Sequence, residues 1–168
     1  MRELLLVRFG EIFLKGLNRP YFMKELVKKI RYAVQAVEGQ VWLHDSRVFV
    51  SDYTDQEECI RRVTKVFGVH SVCPAVEMEK DDFAAICAQA SAMMTGLTGT
   101  FKVYARRSDK RYPMDSGEIN RAVGGYILEH HPDLRVDVHE PQHRLNVEIR
   151  DKASLYVRVV PAVGGMPV

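Results

Sequence analysis

The spacing of hydrophobic residues in the first half of the chain predicts two helices and four strands. Four consecutive aliphatic residues between charged ends predict a buried strand over Glu3–Phe9. Apolar residues recur at helical spacing over Pro20–Val37 and predict a helix with one buried face. The remaining elements are two hairpin strands, a helix and a last strand, at Gln40–His44, Arg47–Ser51, Asp55–Phe67 and Val69–Met78. The resulting order, β-α-β-β-α-β, is that of a ferredoxin-like domain.

The α/β pattern starts again after this first set of elements. Acidic residues that can cap helices precede two further apolar stretches, and short β-rich runs lie between and after them. These elements are a helix from Asp81 or Asp82, a strand at Thr100–Ala105, a helix at Asp115–Glu129 and strands at Arg135–His139, Leu145–Ile149 and Leu155–Val160. We therefore predict an α/β (α+β) protein with a ferredoxin-like domain at 1–78 and a second α/β domain at 79–168.

Composition places the chain among soluble intracellular proteins. Its 168 residues are 46% hydrophobic, enough to bury a core, yet the sequence lacks the run of about 20 apolar residues that spans a bilayer. It also shows no signal peptide. The odd count of three cysteines, without a CxxC pair, argues against a disulfide framework and predicts reduced structural thiols. We expect a cytoplasmic protein without a membrane partner.

Charge is concentrated locally, although the net charge is only +2. The ten residues Lys102–Arg111 hold five basic side chains against one Asp, which is typical of a surface that binds phosphate groups. Strand periodicity puts alternate residues of this stretch on one face, and Tyr104 and Tyr112 are candidates for stacking on unpaired bases. The residues predicted to contact RNA here are Lys102, Tyr104, Arg106, Arg107, Lys110 and Arg111. Ordinary solvated surface charge is the alternative, and it is our interpretation of Lys24, Lys28 and Arg31.

The helix predicted to follow the basic stretch adds a possible anion site. Its free N–H groups could bind a phosphate, with Asn120 and Arg121 in its early turns. Two acidic residues at the same end, Asp115 and Glu118, count against this because they can cap the helix themselves.

Catalytic and metal sites are not indicated. The nucleophile-elbow, Walker and dinucleotide-binding glycine motifs are absent, and no catalytic residue is predicted. His139 and His143 are four residues apart, but Pro141 lies between them and no carboxylate or thiolate completes a ligand set. We expect neither metal nor cofactor in this chain, and no catalysis by the chain alone.

Two stretches resemble a known protein family. Arg8-Phe9-Gly10-Glu11, followed by Lys15-Gly16 and Asn18-Arg19, resembles the N-terminal signature of the tRNA 4-thiouridine synthetases, or tRNA sulfurtransferases. The stretch 101–111, continued through Ser116 and Gly124-Gly125, resembles the THUMP domain of the same proteins. Residues 136–141 and the closing Gly164-Gly165-Met166-Pro167 fit that family too.

The resemblance implies a function in 4-thiouridine biosynthesis and tRNA modification, in a family linked to thiamine biosynthesis. The chain would be the tRNA-binding portion, with its THUMP domain at 79–168 positioning the acceptor end of tRNA. Backbone contacts through Lys15 and Arg19 of the first domain would add to the binding. ATP with Mg and the catalytic cysteine would belong to a missing C-terminal domain, and a cysteine desulfurase would donate the persulfide to the full-length parent. A homodimer is left open.

Three alternatives remain at this stage. THUMP domains also accompany methyltransferases and other tRNA-modifying domains. Ferredoxin-like folds host small-molecule enzymes such as acylphosphatases, although no matching catalytic pair is present here. A pure dimerisation scaffold is the third alternative. Salt-dependent tRNA binding would separate the RNA-binding hypotheses from the other two.

Overall fold

The computed structural model describes residues 1–10 and 19–162, and these residues form two compact units. One unit comprises Glu3–Pro74 together with 158–162, and we call it the N-terminal unit. The other comprises Ala75–Val157 with the first two residues, and we call it the second unit. Among the described helices, none has both the length and the apolar character needed to cross a bilayer.

The N-terminal unit has the predicted β-α-β-β-α-β order. Its elements are β1 (Arg2–Phe9), α1 (Arg19–Val34), β2 (Gln40–His44), β3 (Arg47–Ser51), α2 (Gln56–Val63) and the first half of β4 (Val69–Met78). The sheet order is β2-β3-β1-β4, with β3 antiparallel to both β2 and β1. Asp45 and Ser46 both have positive φ, at 54° and 61°, as a two-residue hairpin between twisted strands requires. The predicted hairpin is therefore confirmed.

The core of the N-terminal unit lies between this sheet and one face of each helix. Leu26 and Ile30 of α1 are at most 1% exposed, as is Val63 of α2. Asp55 caps α2 by accepting a hydrogen bond from the Glu58 N–H. Burial of this helical face stabilises both helices, because helices this short are marginal in water by themselves.

The second unit has helices on one face of a mixed sheet. Its elements are the second half of β4, α3 (Phe83–Met93), β5 (Gly99–Arg107), α4 (Ser116–His130), β6 (Leu134–Val136), β7 (His143–Ile149) and β8 (Ala153–Tyr156). The sheet order is β4-β8-β7-β5-β6, and β5 is parallel to both of its neighbours. Ile119, Val123 and Ile127 of α4 are fully buried in its core.

The predicted strand at Leu155–Val160 is two strands in the structure. β8 pairs with the second half of β4, whereas β9 (Val160–Pro161) pairs with Ser71 and Val72 in the first half. Tyr156 and Val160 are four residues apart, whereas their partners on β4, Ala75 and Val72, are three residues apart. The chain therefore has one extra residue at this point, and the strand pairing is interrupted. Pro74, which cannot donate a ladder hydrogen bond, lies in this gap.

Candidate nucleic-acid interface

Strand β5 presents two chemically different faces. Phe101, Val103 and Ala105 are buried in the core of the second unit. The residues between them, Lys102 and Tyr104, are half-buried. The alternation inferred from the sequence is thus present, with the polar and aromatic side chains on the face that points away from that core.

Two cations lie close to the Tyr104 ring on this face. The Lys102 ammonium is 4.5 Å from the centroid of the Tyr104 ring, and the Arg144 guanidinium carbon is 5.3 Å from it. Arg144 belongs to β7, and its Cα is in register with that of Lys102. The sequence alone did not point to Arg144, because the register between parallel strands 42 residues apart is not encoded locally. Two cations beside an aromatic ring bring phosphate-binding groups and a surface for base stacking to the same place.

Arg106 continues this face but has a carboxylate neighbour. Its side chain is exposed, and its Cα is in register with Glu148 of β7. Glu148 also accepts a hydrogen bond from the Tyr156 hydroxyl, with the two oxygens 3.3 Å apart. The carboxylate lowers the local positive potential, so Lys102 and Arg144 form the more strongly positive end of the strand pair.

Arg107 braces the loop that follows β5. Its Nη1 donates hydrogen bonds to the carbonyl oxygens of Lys110 and Tyr112, at 3.0 and 3.1 Å. These bonds fold 108–112 back onto the end of the strand and leave the Lys110 side chain exposed. The structure thus gives Arg107 a structural task besides its predicted contact with RNA.

Asp109 anchors the same loop. Its carboxylate accepts from the Arg111 backbone N–H at 3.0 Å and from the Lys80 ammonium at 3.1 Å. Lys80 also donates to the Arg150 carbonyl. The hydrogen bond from the Arg111 N–H, followed by those from the side chains of Lys80 and Arg111, lowers the pKa of Asp109 to about 2. The Arg111 side chain itself stays 92% exposed.

Tyr112 is not available for base stacking, and this prediction was wrong. It is only 7% exposed, and its hydroxyl donates to the Lys80 carbonyl oxygen at 2.8 Å. Burial raises the pKa of the Tyr112 phenol. An aromatic ring beside a basic loop has more to gain from core burial than from solvent exposure, and its neighbours in sequence did not reveal that choice.

The start of α4 is closed by the predicted acidic residues. Asp115 accepts from the Glu118 N–H at 2.8 Å, and Glu118 accepts from the Asp115 N–H, which together make a capping box. The hydrogen bond from the Glu118 N–H is the largest cause of the lowered pKa of Asp115. Two carboxylates therefore occupy this helix end, which disfavours a phosphate there.

Asn120 and Arg121 differ in their surroundings. The Asn120 side-chain oxygen accepts from the Ala105 N–H at 2.8 Å, beyond the point where β6 stops pairing with β5. This contact satisfies an edge N–H of the strand that carries the basic residues. Arg121 is exposed one residue later.

Two further RNA contacts were predicted in the first domain, at Lys15 and Arg19. Arg19 is exposed at the first residue of α1, in the N-terminal unit. Lys15 lies outside the described residues, as does the closing Gly164-Gly165-Met166-Pro167 segment.

Cysteines and histidines of the described residues do not form a second site. All three cysteines are buried and unbridged, and burial raises the pKa of Cys59 to about 11, so that its thiol stays protonated. Within 1–10 and 19–162, no three His, Cys, Asp or Glu side chains come close enough to hold a metal ion.

Comparisons with known proteins identify both parts of the chain. Residues 4–73 match the ThiI ferredoxin-like domain and residues 80–158 match the THUMP domain. A probable tRNA sulfurtransferase of Caldanaerobacter subterraneus is 40% identical over 168 residues, which cover 99% of this chain and 44% of the relative. The chain thus spans less than half the length of this curated relative.

Solved structures with the same fold include a 4-thiouridine synthetase–RNA complex with bound ATP. It is 27% identical, with a TM-score of 0.85, over 100% of this chain and 44% of that one. TrmN from Thermus thermophilus is 22% identical over 94% of this chain and 45% of that one, with a TM-score of 0.61, and this likeness concerns the fold alone. The predicted ferredoxin-like and THUMP architecture is confirmed.

Proposed function

The chain belongs to the ThiI family through its ferredoxin-like plus THUMP region, and we propose that it is the tRNA-binding part of a tRNA 4-thiouridine synthetase. In this proposal the second unit holds the acceptor end of tRNA. A catalytic domain outside this sequence then thiolates a uridine in an ATP-dependent reaction. The observation that carries the proposal is the cationic and aromatic face of β5 and β7, where Lys102 and Arg144 both lie close to the Tyr104 ring.

The chemistry of this face suits an unpaired RNA end. Lysine and arginine neutralise phosphates whatever the base sequence, and a tyrosine ring accepts any base by stacking. Duplex RNA hides its base edges in a deep, narrow major groove, so an aromatic ring is of more use on single-stranded nucleotides. The exposed Arg106 and Lys110 extend the positive surface beyond the Tyr104 ring. The structure of a 4-thiouridine synthetase–RNA complex, similar over the whole of this chain, supports RNA as the ligand.

The residues of this chain do not fit ATP with Mg. No glycine-rich phosphate loop is present in the sequence, and the described part holds no cluster of carboxylates for a metal. We therefore place nucleotide binding and the sulfur-carrying cysteine outside this chain. A cysteine desulfurase would supply the persulfide to that same part of the parent protein.

Fluorescence anisotropy with labelled tRNA at several salt concentrations tests the proposal. We expect affinity to fall steeply as salt rises, with a slope on logarithmic axes of about 0.7 to 0.9 per phosphate contacted. A second titration compares intact tRNA with the same tRNA lacking its single-stranded 3′ nucleotides. A flat salt response would contradict phosphate binding, and equal affinity for both RNAs would contradict recognition of the acceptor end.

A further inference from the structure

A second cationic and aromatic surface lies in the N-terminal unit, in a groove between α1 and α2. The groove has a volume of about 430 Å³. Its polar and aromatic lining is contributed by Lys29, Tyr32, Arg61, Arg62, Lys65 and Phe67. These residues come from two segments about 30 positions apart, and Lys29 joins Arg61, Arg62 and Lys65 only through the fold.

The charges of this groove are only partly balanced. Arg61 and Arg62 share one carboxylate, that of Glu58, with nitrogen–oxygen distances of 2.5 and 2.9 Å. Lys29 and Lys65 are exposed, and within the described part of the chain neither forms an ion pair with a carboxylate. Four cations against one carboxylate leave the groove with a charge of +3. Such a surface attracts a polyanion and gains affinity by releasing its counterions.

Two large aromatic side chains are exposed at the same groove. Phe67 is 55% exposed and Tyr32 is 82% exposed. The Lys29 ammonium lies 5.8 Å from the centroid of the Phe67 ring. Gly68, with φ +101°, turns the chain into β4 directly after Phe67, and a side chain there would meet the Phe22 ring. The backbone thus holds Phe67 at the surface.

We propose that this groove is a second RNA-binding surface, at which the lysines contact backbone phosphates and the Phe67 ring packs on a nucleotide. The inference rests on the proposed function, which supplies RNA as the ligand and does not itself assign the groove. RNA fits better than an acidic protein because exposed rings beside unpaired ammonium groups match the alternation of bases and phosphates along a strand. A protein surface that presents carboxylates alone would leave the exposed Phe67 and Tyr32 rings without a planar group to stack on.

The same helix provides a matched control. Lys24 and Lys28 are exposed on α1 but do not line the groove. The variants K29A/K65A and K24A/K28A therefore remove the same charge from the N-terminal unit at different places. Anisotropy with labelled tRNA is measured for each variant over a salt series, and thermal unfolding verifies that both are folded.

We expect K29A/K65A to lower tRNA affinity at least tenfold and to reduce the salt slope by about 1.4 to 1.8, the value for two phosphates that the protein no longer neutralises. K24A/K28A should change affinity less than threefold. F67A should weaken binding severalfold with an unchanged slope, because this substitution removes no charge. Equal effects of K29A/K65A and K24A/K28A on affinity would overturn the proposal.

Polyglutamate, used as a competitor at the same concentration of anionic groups as unlabelled tRNA, separates RNA from an acidic protein. If polyglutamate displaces labelled tRNA as effectively as unlabelled tRNA does, and K29A/K65A abolishes this displacement, the groove binds anions in general. That result would also overturn the proposal. Failure of the parent proposal is distinguishable, because the unsubstituted chain would then show no salt-dependent tRNA binding at all.

Discussion

Removing Arg106 and Lys110 together is the most direct test of the predicted RNA-binding face. Both side chains are exposed, and neither has a structural task like that of Arg107 or Asp109. The expected effect of R106A/K110A is therefore on RNA binding and not on folding.

Each of these two side chains is expected to supply one charge-assisted hydrogen bond to an RNA phosphate. Such a bond contributes about 1.5 to 3 kcal/mol, and the carboxylate of Glu148 opposite Arg106 favours the lower end. Removing both bonds then costs about 3 kcal/mol of binding free energy. Each 1.4 kcal/mol is a factor of ten, so tRNA affinity should fall about a hundredfold and in any case well over tenfold.

The assay is the tRNA titration in a salt series, with K24A/K28A as the control of equal charge. Chemical unfolding of both variants verifies that folding is unchanged. If both variants are folded and K24A/K28A is the more damaging, the RNA lies on another surface and the assignment of β5 is wrong. An unchanged salt slope in R106A/K110A would contradict phosphate contact even if affinity fell.

Three further predictions concern the scaffold of this face. Asn120→Ala leaves the Ala105 N–H without its acceptor and should lower the free energy of unfolding by about 1 to 3 kcal/mol in a urea titration, whereas an effect on RNA affinity alone would contradict the structural assignment. Gly99→Ala forces a positive φ of +101° on alanine and puts its Cβ 1.8 Å from the Gln142 side-chain oxygen, so we expect it to lower the melting temperature. Adding Gln142→Ala should recover only the part of this loss that comes from the steric clash. The pKa of Asp109 is about 2 in the folded chain, below its ordinary value, so its carboxylate stabilises the fold above about pH 4 and loses this effect as the pH falls towards 2. Asp109→Asn should therefore make the free energy of unfolding less dependent on pH between about 4 and 2. An NMR titration in which the Asp109 carboxyl titrates near about pH 4 would refute this prediction.

The fold was predictable because its signals are local. Helical spacing predicted α1, and the acidic pair Asp115 and Glu118 predicted where α4 begins. The strands at the end of the second domain were harder to predict from the sequence, because the division between β8 and β9 depends on which part of β4 each one pairs with. Partner choice between strands is a tertiary property that no single segment contains.

The candidate interface was predictable where the alternation of side chains along a strand decides which of them face the core. That alternation separates Lys102 and Tyr104 from the buried side of β5, and it also separates Arg106 from its neighbour Arg107. It could not identify Tyr112 as a core residue, because Tyr112 follows the strand in a loop whose path depends on hydrogen bonds from Arg107 and a contact with Lys80.

Counting charges within short segments of the sequence finds only those basic surfaces whose cations are neighbours in the chain. The stretch 102–111 is conspicuous because its cations are close together in sequence, yet the structure uses Arg107 to hold the loop and pairs Arg111 with Asp109. Arg144 and Lys102, by contrast, meet through strand register, and the cations of the α1–α2 groove meet through helix packing. In both cases the fold brings cations from distant segments of the chain together in space. Affinity for a polyanion depends on that spatial density, so the strongest phosphate-binding positions need not lie in the most basic segment of the chain.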